Sequence, residues 1–340
     1  MKIKVFSVPQ RPRGRFWVCC LFTFHSALGF ANPLRVVEFD KNILIDLPGL
    51  QSAKIAFIDL STRSSGPKIT ITNLAGDLVQ SFTIPSDRYS PAWTNWGPGI
   101  SFDPKNGNLW FLSPQVGLTE FQQTGAMLRT IDFRKASHQI QITPDDSFVM
   151  PYSWDEAVDA QVSEIDTNGR IIFQWRAADF LSDFIHSNSI AHSQPPSYTA
   201  TTSAVKTKDG NFYISMSQKD LIVKVDKFGK VLWHQKVAIR PHTLVVHGER
   251  LIGYSARFPN RIVLFNDICS CFKEVVINES LGANTQTRSL SLQYLGKGYW
   301  FTSGVTGLYI LNDDGRVFWR LEHNQLKGRP IGFHSSVIFE

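Results

Sequence analysis

One unit of sequence recurs along this chain: an alternating apolar strand, a turn built on Asp, Asn or Gly, and a second strand ending in an aromatic or aliphatic residue. It occupies residues 69–79, 118–128, 162–175, 222–233 and 308–319, with a degenerate copy at 262–267. From Gly76 to Gly315 is 239 residues over five intervals, about 48 each. A fixed period of this length is the signature of a repeat architecture. The Asp-x-x-Gly turn places a glycine where a hairpin needs positive φ, between strands whose period of two turns one face toward a neighbour.

A second hairpin precedes each of these, as at 102–111, 142–149, 205–214 and 292–301. Two hairpins per repeat predict a four-stranded sheet. The chain is therefore expected to be an all-β, six-bladed β-propeller of four-stranded antiparallel blades. The end of the sequence, 334–340, reads as the first strand of a blade that then stops, while 54–60, 68–73 and 77–84 read as the second, third and fourth strands of the first blade. The C-terminal strand is thus expected to complete the first blade and close the ring. No long amphipathic helix is legible; Ala177 to Phe184 read as a short one.

The first 31 residues carry Lys2, Lys4, Arg11, Arg13 and Arg15 and no acid, then an apolar run from Phe16 to Phe30 ending in Gly29-Phe30-Ala31. That pattern predicts a signal peptide cut after Ala31 and a single propeller domain over 32–340 in the periplasm or outside the cell. An uncleaved membrane anchor is the competing account, although a fifteen-residue stretch, broken by a few small or polar residues, is short against the roughly twenty that a span needs. Removing the leader leaves 30 of the 35 basic residues against 29 acids, so the formal charge falls from +6 to +1. The basic pI then belongs to the leader and gives no reason to expect nucleic acid. Of four cysteines, Cys19 and Cys20 leave with it. Cys269 and Cys271 remain, either as a strained ring or as two thiols on a hairpin.

Each inner strand begins at one mouth of a propeller's channel, so residues at equivalent repeat starts converge there. Those positions are Gly99, His138, Ser203, His242, Arg288 and His334. Three histidines and an arginine in six slots are more than chance supplies from nine histidines in 340 residues, although any one of them is also a plausible channel-lining residue bonded to water or backbone. A second cluster lies at 183–190, where His186 and Asn188, two apart, face the same way if the segment is extended. An ordinary polar loop with Asn188 stabilising a turn accounts for it as well.

His186-x-Asn188-Ser, residues 208–215, 222–226 and 229–233, Pro241-His242 with 248–252, 287–293 and 314–319 together resemble the arylsulfotransferases, over roughly 130 to 320. Ser137-His138 and the residues to Asp146 resemble an earlier motif of the same family. The resemblance implies an exported propeller that moves a sulfuryl group from an aryl sulfate to a phenol, with no cofactor. It implies that His242 is transiently sulfated and that His186, Asn188 and His138 hold the sulfuryl oxygens and handle protons. A neutral imidazole suits the nucleophile, because its ordinary pKa of about 6.5 leaves a lone pair at neutral pH. The family's Ser-x-Arg falls on Ser215-Met216-Ser217, so its guanidinium is missing. Lys219 and Arg257 are the cations expected to stand in, with Arg288 and His334 also toward the substrate.

A non-catalytic propeller that holds an envelope protein partner explains the fold, the missing arginine and the leader equally. Trp175, Trp233 and Trp319 at strand ends also resemble quinone-cofactor propellers, but those carry more blades and an acidic metal site that this sequence lacks. No Walker-type loop, His-Glu-x-x-His or zinc-spaced Cys/His set is present.

Overall fold

The structure, a computed structural model, describes residues 34–59, 66–90, 97–152, 159–180, 199–237, 241–247, 250–255, 261–266, 271–276, 291–303, 307–323 and 333–340. Of these, the strands within 250–276 and residues 323, 333 and 334 are described in backbone only. Asn32–Glu340 form one compact unit. No helix among the described residues is long and apolar enough to cross a membrane.

The unit opens with β1 (Leu34–Phe39) and a single helical turn, α1 (Ile43–Asp46). The first sheet holds β2 (Lys54–Asp59), β3 (Lys68–Asn73) and β4 (Leu78–Thr83). The second runs β5 (Gly99–Asp103), β6 (Asn108–Ser113), β7 (Gly117–Phe121) and β8 (Met127–Asp132). The third runs β9 (Gln141–Ile142), β10 (Phe148–Pro151), β11 (Val162–Ile165) and β12 (Ile171–Trp175). In the fourth are β13 (Thr201–Lys206), β14 (Phe212–Met216), β15 (Leu221–Val225) and β16 (Val231–Lys236). The fifth comprises β17 (Pro241–His247), β18 (Arg250–Ser255), β19 (Arg261–Asn266) and β20 (Cys271–Val276). The sixth has β21 (Leu292–Gly296), β22 (Tyr299–Ser303), β23 (Gly307–Asn312) and β24 (Val317–His323). The last strand, β25 (Phe333–Phe339), returns to the first sheet and pairs antiparallel with β2, Lys54 opposite Phe339.

One expectation is corrected. Five sheets have four strands, but the sixth has five, because β1 adds antiparallel to the outer edge of β24, Leu34 opposite His323 and Phe39 opposite Trp319. The blades are therefore not all four-stranded. The added strand brings apolar side chains with it: Leu34, Val36 and Phe39 join the cluster that holds Phe318 and Trp319. Leu78, Val79, Ile171 and Ile172 remain about half exposed, whereas the equivalent Val317 and Phe318 are 5% and 8% exposed in the sheet that β1 extends.

Middle strands such as β7 and β14 are buried throughout, because each is covered by a sheet on both faces. Outer strands such as β16 alternate between exposed and half-buried residues. The turn glycines foreseen from sequence have φ of +84° at Gly76, +91° at Gly125, +80° at Gly169, +89° at Gly229 and +78° at Gly315. Each sits beside a register shift between the third and fourth strands, the geometry of a hairpin with a glycine bulge.

Apolar clusters fill the joints between successive sheets. Ile71 shares a cluster with Phe111, Trp175 with Phe212, Tyr213 with Leu244 and Trp319 with Phe57, Val245 packs against the cluster of Trp300, and Trp110 meets Phe148 ring to ring at 4.5 Å. The first strands follow suit: β25 lies on β5, β5 on β9, β9 on β13, β13 on β17 and β17 on β21, while β22 meets β25. Ala177–Asp179 form a 3-10 turn where a short helix was expected to 184, and the rest of that expectation lies outside the described residues.

Candidate functional site

Two of the anticipated residues meet. His138 precedes β9, His242 is the second residue of β17, and their rings lie 5.4 Å apart, centroid to centroid, inclined at 61°. Both are buried. His138 lies in the segment that leads into the third sheet, and His242 in the first strand of the fifth.

Local structure holds His138 in place. Its φ is +66°, a conformation that costs a non-glycine residue on the order of 1–3 kcal/mol and persists only where the surroundings enforce it. Two contacts do so here: its N–H donates to the Gly97 carbonyl at 2.7 Å, and its Nδ1 is 2.9 Å from Ser137 Oγ. A methyl group on Gly97, itself at φ +67°, would come within 2.9 Å of His138 Cδ2. In the tautomer that donates Nδ1–H to Ser137 Oγ, the ring's lone pair is on Nε2.

His242 is positioned through its backbone. Thr202 Oγ1 donates to the His242 carbonyl at 2.7 Å, and Ser217 Oγ donates to the Pro241 carbonyl. Thr202 Oγ1 is also 3.1 Å from both Ser215 Oγ and Ser217 Oγ. These buried hydroxyls tie the start of the fifth sheet to the fourth. Sequence reading passed over them, although Thr201-Thr202-Ser203 and Ser215-x-Ser217 are a visible run of hydroxyls on strands otherwise apolar.

Ser217, where the resemblance leads one to expect an arginine, borders His242 through Pro241. Lys219 ends the same turn, Ser217–Lys219, and is buried. Burial, and after it the nearby Lys236 ammonium, holds the Lys219 ammonium below the ordinary lysine range. A bound anion would relieve that cost.

The remaining predicted positions are not brought into view. His186, Asn188, Arg257 and Arg288 lie outside the described residues, as does Cys269. His334 is placed in β25 by its backbone alone. Among the described residues there is no group of three or more His, Cys, Asp or Glu able to hold a metal ion.

No family model matches the sequence, and no curated protein matches it. Solved structures do. A Bacteroides caccae protein of unknown function is 14% identical, with a TM-score of 0.60, over 85% of this chain and 99% of that one. A candidate 6-phosphogluconolactonase from Bacteroides uniformis is 12% identical, with a TM-score of 0.50, over 80% of this chain and 82% of that one. Identity this low speaks for fold alone. The chain is an all-β propeller.

Proposed function

We propose that the protein is an exported, six-bladed, arylsulfotransferase-like propeller whose ring is closed by its C-terminal strand, and that it transfers a sulfuryl group from an aryl sulfate to a phenol. The observation that carries this is the pair of buried imidazoles, His138 and His242, from two separate sheets, 5.4 Å apart. The six sheets, the apolar cluster between Trp319 and Phe57 and the pairing of β25 with β2 support the closed ring. The basic and then apolar first 31 residues support export, and N-terminal sequencing of the processed protein is expected to begin at Asn32.

In this reading the neutral His242 imidazole attacks sulfur. An N–S bond forms as the S–O bond to the aryl group breaks, and the electron pair leaves on the phenolate. The phenolate leaves as the anion and takes its proton from solvent; His138 then takes the proton of the acceptor phenol as the phenol oxygen forms its bond to sulfur and the N–S bond of the sulfo-histidine breaks, and returns that proton to solvent. Lys219 faces the charge on the sulfuryl oxygens, as a point charge without arginine's bidentate fork.

The test is turnover of a chromogenic aryl sulfate with and without a phenol, together with trapping of labelled sulfate on the protein. Label on the wild type and none on His242→Ala is expected. Lys219→Met is expected to lower the rate about 100- to 1000-fold, as loss of one charge-stabilising donor does. A wild-type chain that never labels would favour a binding propeller with an envelope partner. One observation supports that second reading: the hydroxyl of Ser217, where the family carries its guanidinium, is spent on the Pro241 carbonyl.

A further inference from the structure

No backbone ladder sets the distance between the two imidazoles. The first strand of each sheet is an edge: β9 pairs with β10 alone, β13 with β14 and β17 with β18. The chain is also irregular where each histidine stands. His138 has φ +66°, and β9 after it runs for two residues, against six in β13 and seven in β17. In β17 the register with β18 shifts between Pro241 and Thr243, so His242 is the displaced residue, and in β13 the shift falls in the same way at Thr202. Such bulges re-aim a side chain at the cost of local pairing. A separation of 5.4 Å between side chains on two such segments needs a tie of its own.

Gln139 supplies one. It follows His138 directly, and its Nε2 donates to the carbonyl of Leu244, two residues beyond His242, at 3.0 Å. Ser203, next after Thr202, completes the tie: its Oγ donates to Gln139 Oε1 and accepts from Leu244 N–H at 2.9 Å. The three bonds close a cycle that uses both ends of the amide, both backbone groups of Leu244 and both roles of one hydroxyl. Ser203 and Leu244 are buried, so water offers these groups no substitute partner. Each bond fastens its strand just past the irregular residue. The next amide along, Gln141 on the backbone of Lys206 at 2.9 and 2.6 Å, ties the third sheet to the fourth. Gln139 ties the third to the fifth, where His242 stands.

We propose that Gln139 is a positioning residue that holds the His138 imidazole beside His242, and that in the sulfuryl-transfer reading, on which its catalytic consequence rests, it serves the second step. There His138 takes the proton of the acceptor phenol beside the sulfo-histidine, whereas the attack of His242 on sulfur needs no second imidazole. Gln139→Ala should therefore slow the transfer of trapped label to phenol about 100-fold, as a misplacement of about 1 Å does, with His242 labelled at close to the wild-type rate. A general loosening of the fold would depress both steps. Position itself is read on the full chain with isotope-labelled histidine, as the nuclear Overhauser contact between the ring protons of His138 and His242. The contact is expected in the wild type and lost in Gln139→Ala and in Gln139→Met, which keeps the side chain's length without its hydrogen bonds, with melting curves confirming that each variant folds. Gln141→Ala, the loss of a like amide two residues on, should keep the contact and both steps. A wild-type chain that shows the contact and never labels would sink sulfuryl transfer alone, and the contact in the Gln139 variants would then decide the positioning role. A contact absent from the wild type, kept in both Gln139 variants or lost equally in Gln141→Ala would overturn the proposal, as would equal slowing of the two steps in a chain that labels.

Discussion

Gln293 presents its amide to the backbone of another sheet, Nε2 donating to the Ile338 carbonyl at 2.9 Å and Oε1 accepting from Ile338 N–H at 3.1 Å. Gln141 does the same to Lys206. Each glutamine stands in for a strand residue across a joint where no ladder runs. Removing one leaves a carbonyl and an N–H without their partner, so Gln293→Ala is expected to cost about 1–3 kcal/mol in urea unfolding, against a few tenths for an exposed residue. Lys219 gives a second expectation, in pH. Its ammonium is disfavoured in the folded chain, so the unfolded chain binds that proton more tightly between the lowered value and the ordinary 10.5. Stability should therefore rise with pH across that alkaline window, and the gain is lost as pH falls through the folded value. Lys219→Met should flatten the slope when unfolding is measured at neutral and alkaline pH. The two histidines were legible in sequence because the repeat fixes where each first strand begins. The glutamine pairs and the Thr202–Ser217 hydroxyls were not, because a polar side chain's partner in another sheet leaves no local pattern.

At the scale of the element, β1 shows what the outer edges of this molecule accept. Its Leu34, Val36 and Phe39 join the cluster that holds Phe318 and Trp319, its Val36 lies against Gly76, and its Arg35 and Glu38 stand opposite Glu322 and Arg320 of β24. Val36→Asp should loosen the strand and cost about 1.5–3 kcal/mol, the order of one apolar side chain's burial. It should also promote association in light scattering, since an uncovered edge pairs with other chains. Leu78→Ser, at the equivalent exposed position of the first sheet, should stay within about 0.5 kcal/mol. The hairpins on either side of Gly76, Gly125, Gly169, Gly229 and Gly315 could be read from sequence, because the turn chemistry and the alternation agree there. The added strand could not. Leu34–Phe39 alternates like any half-buried strand, and which sheet it joins is decided by a partner nearly 290 residues away in the chain.

At the scale of the whole molecule, β25 touches three sheets while belonging to one. It pairs with β2 in the first sheet, Ser335 Oγ accepts from Ile100 N–H of the second at 3.2 Å, and Ser336 Oγ is 2.6 Å from Ser291 Oγ beside the sixth. Phe339 stacks on Phe102 of the second sheet, 4.2 Å between ring centroids at 15°. A single strand at the end of the chain thus supplies contacts that elsewhere come from segments far earlier in sequence. If the sheets form one closed ring, these contacts act together, and their loss should be felt in every joint. Phe339→Ala, at a 6% exposed position, is expected to cost about 3–5 kcal/mol, as truncation of a buried aromatic does. A chain ending at residue 332 should go further, losing its sharp thermal transition by calorimetry and its slow-exchanging amides in all six sheets, including β14, which shares no apolar cluster with β25. A truncated chain that melts within a few degrees of the intact protein, or loses protection only in the first sheet, would mean that the sheets stack as an open row and that β25 decorates its end.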